Sequence, residues 1–157
     1  MMGEPSSDSP NVVVLPPLLY GAGLAFGFLL QWLVPRHILS TDARYWVGGA
    51  ILVTGAILAM WGRRVMEQAG TNVNPREPTT ALVVAGPFRF SRNPLYVALT
   101  LMYVGLALLT NALWVLVLIV PISLVLHVGV VRREERYLEA KFGDAYRSYR
   151  SDVRRYL

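Results

Sequence analysis

Charged residues are missing from three long intervals of the chain, between Asp8 and Arg36, between Arg44 and Arg63, and between Arg92 and Arg132. A membrane span needs roughly 20 mainly apolar residues to cross about 30 Å of hydrocarbon. The first interval predicts one helix near 12–34. The second predicts another near 45–66, whose uncharged part from Tyr45 to Trp61 is short for a bilayer. The third is long enough for two helices, near 94–109 and 112–131, joined by a tight turn at Thr110-Asn111. The fold class expected is all-α, an integral membrane protein of about four transmembrane helices followed by an amphipathic helical tail.

Between these apolar segments the pattern changes character. The first span carries Gly21, Gly23 and Gly27, and the second Gly48, Gly49 and Gly55. Such small residues let membrane helices approach closely. A nucleotide-binding glycine loop is excluded for "GAGLAFG", because no strand precedes it. The stretch "AGTNVNPREPTTALVVAGPFRFSRNP" is broken by Gly and Pro and predicts irregular backbone. Such backbone cannot face lipid, where each unpaired polar group costs several kcal/mol. It lies in water or packs on protein, with the apolar "ALVVA" of residues 81–85 dipping into the interface or against the tail. The tail places Leu138, Phe142, Ala145, Tyr149, Val153 and Tyr156 at helical spacing, with Gly143 ending or bending a first helix. Taken alone, it reads as an amphipathic helix on the membrane surface, anchored by arginines.

Composition agrees. Of 157 residues, 54% are hydrophobic and 16% charged, against about 25% charged in soluble domains, and mean hydropathy is +0.43. The absence of cysteine removes disulfides, thiolate metal sites and a cysteine nucleophile. Two histidines, His37 and His127, are too few for a histidine-built metal centre. The N-terminus carries Glu4 and Asp8 but no nearby basic residue, unlike a cleaved signal peptide, so the first span is expected to be retained. Five of the 15 basic residues lie in the 62–93 loop and eight in the tail, with only Arg36 and Arg44 opposite. The positive-inside rule then puts the loop, the tail and both termini in the cytoplasm, of a bacterial inner membrane given the brevity of the chain and its loops. The same asymmetry accounts for the basic pI, so no nucleic-acid partner is inferred.

Two polar clusters are candidates for chemistry. One is "GPFRFSRNPLY", residues 86–96, where Asn93 and Pro94 predict a helix start with Asn as N-cap and Pro at the first helical position. Arg89 and Arg92 there could snorkel to phosphates. Gly86-Pro87 and Tyr96 are left unexplained by that reading and suit a turn that holds an anionic or nucleoside ligand. The other is Glu134-Glu135 at the end of the fourth span. It pairs locally with Arg132, Arg133 and Arg136, or binds a cationic group such as an ammonium.

Together, "GPFRFSRNPLY" and, two spans later, "REERYLEAKFGDAYRSYRSDVRRYL" resemble the isoprenylcysteine carboxyl methyltransferase and phospholipid methyltransferase superfamily. The resemblance runs over about residues 70–157; residues 1–66 match only as generic membrane helices, within a single domain spanning 1–157. It implies an integral membrane, S-adenosylmethionine-dependent methyltransferase without a Rossmann fold, acting on a lipid-like or hydrophobic acceptor. Carried over by position, Gly86, Pro87, Arg92, Asn93, Pro94 and Tyr96 would form one wall of the cofactor pocket. Glu134 and Glu135 would form the other, one of them holding the methionine ammonium, and Tyr146 and Tyr149 would cover it from the tail. Arg132 or Arg133 is a candidate for the cofactor carboxylate or the acceptor's headgroup. His127, about two turns before Glu134, is a possible base or a packed interface histidine. Asn93 stands where isoprenylcysteine enzymes usually have His, which bears on the acceptor more than on the cofactor.

Two other classes remain open at this stage. A non-catalytic scaffold with a basic lipid- or partner-binding tail would depend on arginines and be indifferent to Glu134 and Glu135. A transporter or channel subunit is disfavoured because the spans lack ionisable residues apart from His127. The small-residue faces permit oligomers without demanding them.

Overall fold

A computed structural model describes residues 9–39 and 42–157; Glu4 and Asp8, used above for the N-terminus, lie outside them. The described residues form helices α1 (Pro16–Leu33), α2 (Ala43–Gln68), α3 (Pro94–Leu109), α4 (Leu113–Leu126), α5 (Arg132–Phe142) and α6 (Asp144–Asp152). Three helices are long and apolar enough to cross a membrane, and the 16-residue α3 is a shorter apolar helix. The chain is therefore an all-α integral membrane protein.

The boundaries differ from expectation in physically clear ways. α1 starts at Pro16 rather than near residue 12, because Pro16 and Pro17 suit a first turn but not a helix interior. α2 is not short: it runs 26 residues, carrying Arg63, Arg64 and Glu67 beyond its apolar part. The short span is α3 instead. α4 continues through a π-helical turn, His127–Val131, directly into α5. The continuous helix Leu113–Phe142 has 30 residues, about 45 Å at 1.5 Å per residue. It therefore outruns the hydrocarbon and carries "RREER" outside it.

α2 packs along α3, α1 along α4, and α3 against α4. Glycine makes the closest approaches. A Cβ on Gly105 would sit 2.6 Å from the Leu52 amide nitrogen, and one on Gly55 would sit 2.9 Å from the Ala98 carbonyl oxygen. Gly27 fits against Val115 of α4 in the same way, whereas Gly21 and Gly49 face open space. The core between α1, α3 and α4 is built from Tyr20, Tyr103, Val115, Ile122 and Leu126. Large side chains such as Trp32, Trp46, Val120 and Leu124 are exposed around it. On a soluble domain such a surface would be a liability; here it is the lipid face.

At the end of the bundle opposite the tail, Asn111 turns the α3–α4 corner at φ +54°, a left-handed geometry that Asn tolerates better than most residues. Its buried side chain accepts the amides of Ile38 (2.8 Å) and Leu39 (2.9 Å) and donates to the Leu39 carbonyl (2.8 Å), tying the α1–α2 loop to the hairpin.

Candidate functional site

The irregular approach to α3 is held from behind by α2. Gly86 opens a 3₁₀ turn, Gly86–Arg89, at φ +58°. A Cβ there would meet Val65 Cγ2 at 2.7 Å and Trp61 Nε1 at 3.2 Å, so glycine is required both for the backbone angle and for the packing. Pro94 starts α3 as expected, but Asn93 does not cap it with its side chain. The Asn93 carbonyl accepts the amides of Tyr96 and Val97, and its side-chain Nδ2 donates instead to the Arg155 carbonyl at 3.0 Å. Ser91 Oγ donates to the same carbonyl at 3.3 Å, and the Arg92 amide donates to the Arg154 carbonyl at 2.9 Å. The motif loop thus spends its free polar groups on the last residues of the chain.

On α5 the two adjacent glutamates have different surroundings. Glu134 Oε1 accepts the Tyr96 hydroxyl at 2.7 Å. Glu135 is buried and takes a two-pronged contact from Arg155, Nε to Oε1 and Nη2 to Oε2, both 2.9 Å. Arg92 Nη1 lies 3.3 Å from the same Oε1. A forked guanidinium–carboxylate pair is among the stronger polar contacts a protein makes. The local pairing considered for "RREER" is not what forms. Arg133 Nη1 donates to the Asn11 carbonyl, and Arg136 Nε to the Arg132 carbonyl. The Arg92 side chain is 8% exposed, and its Nε has no hydrogen-bond partner among the described residues.

The tail folds back onto this core. Gly143, at φ +54°, separates α5 from α6, and α6 sends Tyr146 and Tyr149 inward, both buried. Tyr149 donates its hydroxyl to the Phe88 carbonyl at 2.7 Å, and Arg92 Nη1 donates to the Tyr146 hydroxyl at 3.3 Å. Burial raises the Tyr149 pKa, with Tyr146 adding to it. Burial also raises that of Tyr146; Glu135 adds to the shift and Arg92 opposes it. Both hydroxyls therefore stay protonated, Tyr149 as the donor to Phe88 and Tyr146 as the acceptor from Arg92. The Arg155 guanidinium is held in its charged form, first of all by its hydrogen bonds to Glu135. At the tail's end, Tyr156 and His127 Nδ1 share a 2.8 Å hydrogen bond.

These elements enclose an open cleft with about 830 Å³ of empty volume, its mouth included. Of the residues singled out from sequence, Arg92, Asn93, Pro94, Tyr96, Glu134, Glu135, Tyr146 and Tyr149 line it. Gly86 and Pro87 stand behind the wall, against α2. His127 is engaged by Tyr156, and Arg133 by the segment before α1.

Sequence reasoning missed three contributors. The 71–83 loop lines the opposite side, folded on itself by the Thr80 amide to Thr71 Oγ1 (3.1 Å) and fastened to α5 by the Thr79 amide to the Tyr137 hydroxyl (3.1 Å). Its Gly and Pro content flags it as irregular, with residues 81–85 expected at the interface or against the tail; the bond to α5 comes from Thr79 instead. Pro10 also reaches the cleft, its segment held by the Val13 amide on the Gly129 carbonyl at 3.1 Å. That carbonyl belongs to the π turn, a feature common at functional sites. Arg155 is the third, hidden among the tail's many arginines.

The walls offer a carboxylate with one committed oxygen, an unpartnered buried guanidinium N–H, and several tyrosines. Such a set can hold a small zwitterion beside an aromatic group. The sequence profile of the phospholipid methyltransferase family matches residues 43–145. An uncharacterized protein of Haemophilus influenzae is 56% identical over 34 residues, which is 22% of this chain and 54% of that protein. The chain thus spans about half the length of that relative.

Proposed function

The chain belongs to the phospholipid methyltransferase family, and from that membership we propose that it transfers a methyl group from S-adenosylmethionine to a lipid-like or other hydrophobic acceptor. The observation that carries this reading is convergence: Arg92 and Tyr96, Glu134 and Glu135, and Tyr146 and Tyr149 come from three separate segments to line one cleft. The donor set fits the cofactor. Glu135 is occupied by two arginines, so the carboxylate left to take an ammonium is Glu134, through Oε2. The buried Nε–H of Arg92, without a hydrogen-bond partner among the described residues, suits a carboxylate. Tyrosine faces suit a sulfonium through cation–π attraction.

When bound, S-adenosylmethionine supplies an electrophilic methyl group on sulfur. The residues of the chain have the remaining tasks. They fix the reacting groups in line, which can supply much of the rate, and the 71–83 loop and the folded-back tail limit water where charge is lost. The acceptor enters from the bilayer between helices and is methylated on oxygen or nitrogen. Arg133, next to Glu134 in sequence and bonded to the Asn11 carbonyl, is suited to its headgroup. By the positive-inside rule, the basic loop and tail support a cleft on the cytoplasmic side of a bacterial inner membrane, with both termini on that side.

The test is incubation of purified, detergent-solubilised protein with methyl-labelled S-adenosylmethionine and a total lipid extract. Label appearing in an extractable lipid, and lost with Glu134→Gln, is expected. Absence of cofactor binding by calorimetry would sink the reading.

A further inference from the structure

Glu135 lies at the meeting point of two arginines that come from different segments of the chain. Arg92 comes from the loop before α3, with its side chain 8% exposed. Arg155 comes from the segment after α6 and is 36% exposed, so water reaches its outer edge. Arg155 makes the shorter and forked contact, at 2.9 Å on both oxygens, whereas Arg92 stands at 3.3 Å. The orientation of the carboxylate is therefore set by Arg155, and Arg92 adjusts to what is left. The backbone repeats this arrangement. The Arg154 and Arg155 carbonyls accept from the Arg92 amide, Ser91 Oγ and Asn93 Nδ2, which pins the loop that carries Arg92. Arg92 is the cleft's buried guanidinium with an unpartnered N–H.

We infer that Arg155 is a positioning residue for the cofactor cleft: through Glu135 and the 91–93 loop it sets the Arg92 guanidinium, so the end of the chain must be seated before the cofactor is held. This rests on the methyltransferase reading for the identity of the ligand, but not for the seating itself. Arg155 does not line the cleft, so its effect is transmitted rather than direct.

The experiment compares full-length wild type, Arg155→Ala, Arg155→Lys, Glu135→Gln and the Glu135→Gln/Arg155→Ala pair in detergent. Three quantities are read: S-adenosylmethionine affinity by calorimetry, hydrogen exchange of the peptide covering residues 90–95, and the melting temperature. Arg155→Ala is expected to speed exchange in that peptide and to weaken the cofactor by at least about tenfold, as the loss of a buried ionic partner implies. Lysine keeps the charge but not the fork, so Arg155→Lys is expected to fall between wild type and alanine. The double variant is expected to bind no more weakly than Glu135→Gln alone, since both changes remove one linkage. Unchanged exchange and affinity in Arg155→Ala would overturn the inference. So would an affinity loss that merely follows the melting temperature, or additive losses in the double variant. Should wild type itself bind no S-adenosylmethionine, the methyltransferase reading fails, and the exchange comparison alone decides whether Arg155 seats the loop.

Discussion

Glu134 and Glu135 are neighbours in sequence, and their replacement by glutamine separates two roles that a single activity assay would merge. Glu135→Gln removes the negative charge that serves both Arg92 and Arg155 at 3.3 and 2.9 Å. Deleting one partner of a buried ion pair costs about 3–5 kcal/mol. Arg155 is partly exposed and can rehydrate, which places the loss near the lower end, about 3 kcal/mol. Glu134→Gln keeps an amide oxygen to accept the Tyr96 hydroxyl, so its cost is about 1 kcal/mol. For a protein of this size each kcal/mol moves the melting temperature by about 2–4 °C. Glu135→Gln should therefore melt about 6–12 °C below wild type, and Glu134→Gln about 2–4 °C below. For Glu134→Gln, cofactor affinity should part from stability. Glu134→Gln loses the charge proposed for the ammonium, so it should bind S-adenosylmethionine at least about tenfold more weakly despite its small thermal change. Circular-dichroism melting and calorimetry in the same detergent measure both. Equal melting shifts for the two variants would refute the claim that Glu135 is the buried, doubly paired carboxylate.

Three further outcomes follow from the packing. Asn111→Ala deletes three hydrogen bonds to the α1–α2 loop. At about 1 kcal/mol each, denaturant titration in mixed micelles should show a loss of about 3 kcal/mol. Gly105→Ala drives a methyl into the Leu52 backbone and should cost about 1–3 kcal/mol, whereas Gly49→Ala, with nothing within 4 Å, should be neutral in the same titration. Tyr149 has a raised pKa in the folded chain, so its share of tail docking is complete below the ordinary tyrosine value of about 10. Above that value it falls away as pH rises toward the folded-state pKa. Exchange of the 86–90 peptide should rise with alkali in wild type and be raised from the outset, with a weaker alkaline increment, in Tyr149→Phe.

How far the sequence reveals this site depends on the range of each interaction. The spans are legible because hydrophobic burial in lipid is a property of each segment by itself. Gly86 and Pro94 are legible because their constraints are local. Asn93 misleads for the same reason: Asn before Pro is a good cap, yet its side chain is drawn off by a carbonyl 62 residues away. The π turn has no composition of its own, so the carbonyl it offers to Val13 could not be anticipated. The bonds of Arg92, Ser91 and Asn93 to the chain's end join positions more than 60 residues apart, beyond the reach of periodicity.

Glu135 is the instructive intermediate case. "RREER" invites local pairing, and both glutamates look alike within it. Helical spacing distinguishes them: Val131, Glu135, Leu138 and Phe142 fall four, three and four residues apart, the seam of a helix against its neighbours. Glu134 is one position off that seam and reaches the cleft's edge, where Tyr96 meets it. A carboxylate on an apolar seam cannot remain there without a cation, because the uncompensated cost of burial exceeds what a helix can tolerate. Its partner is drawn from other elements, since Arg132 and Arg136 lie on exposed faces of the same helix. Arginine is favoured over lysine by its rigid fork. The seam position thus identifies which glutamate needs an outside arginine, and the fold supplies two, at Arg92 and Arg155.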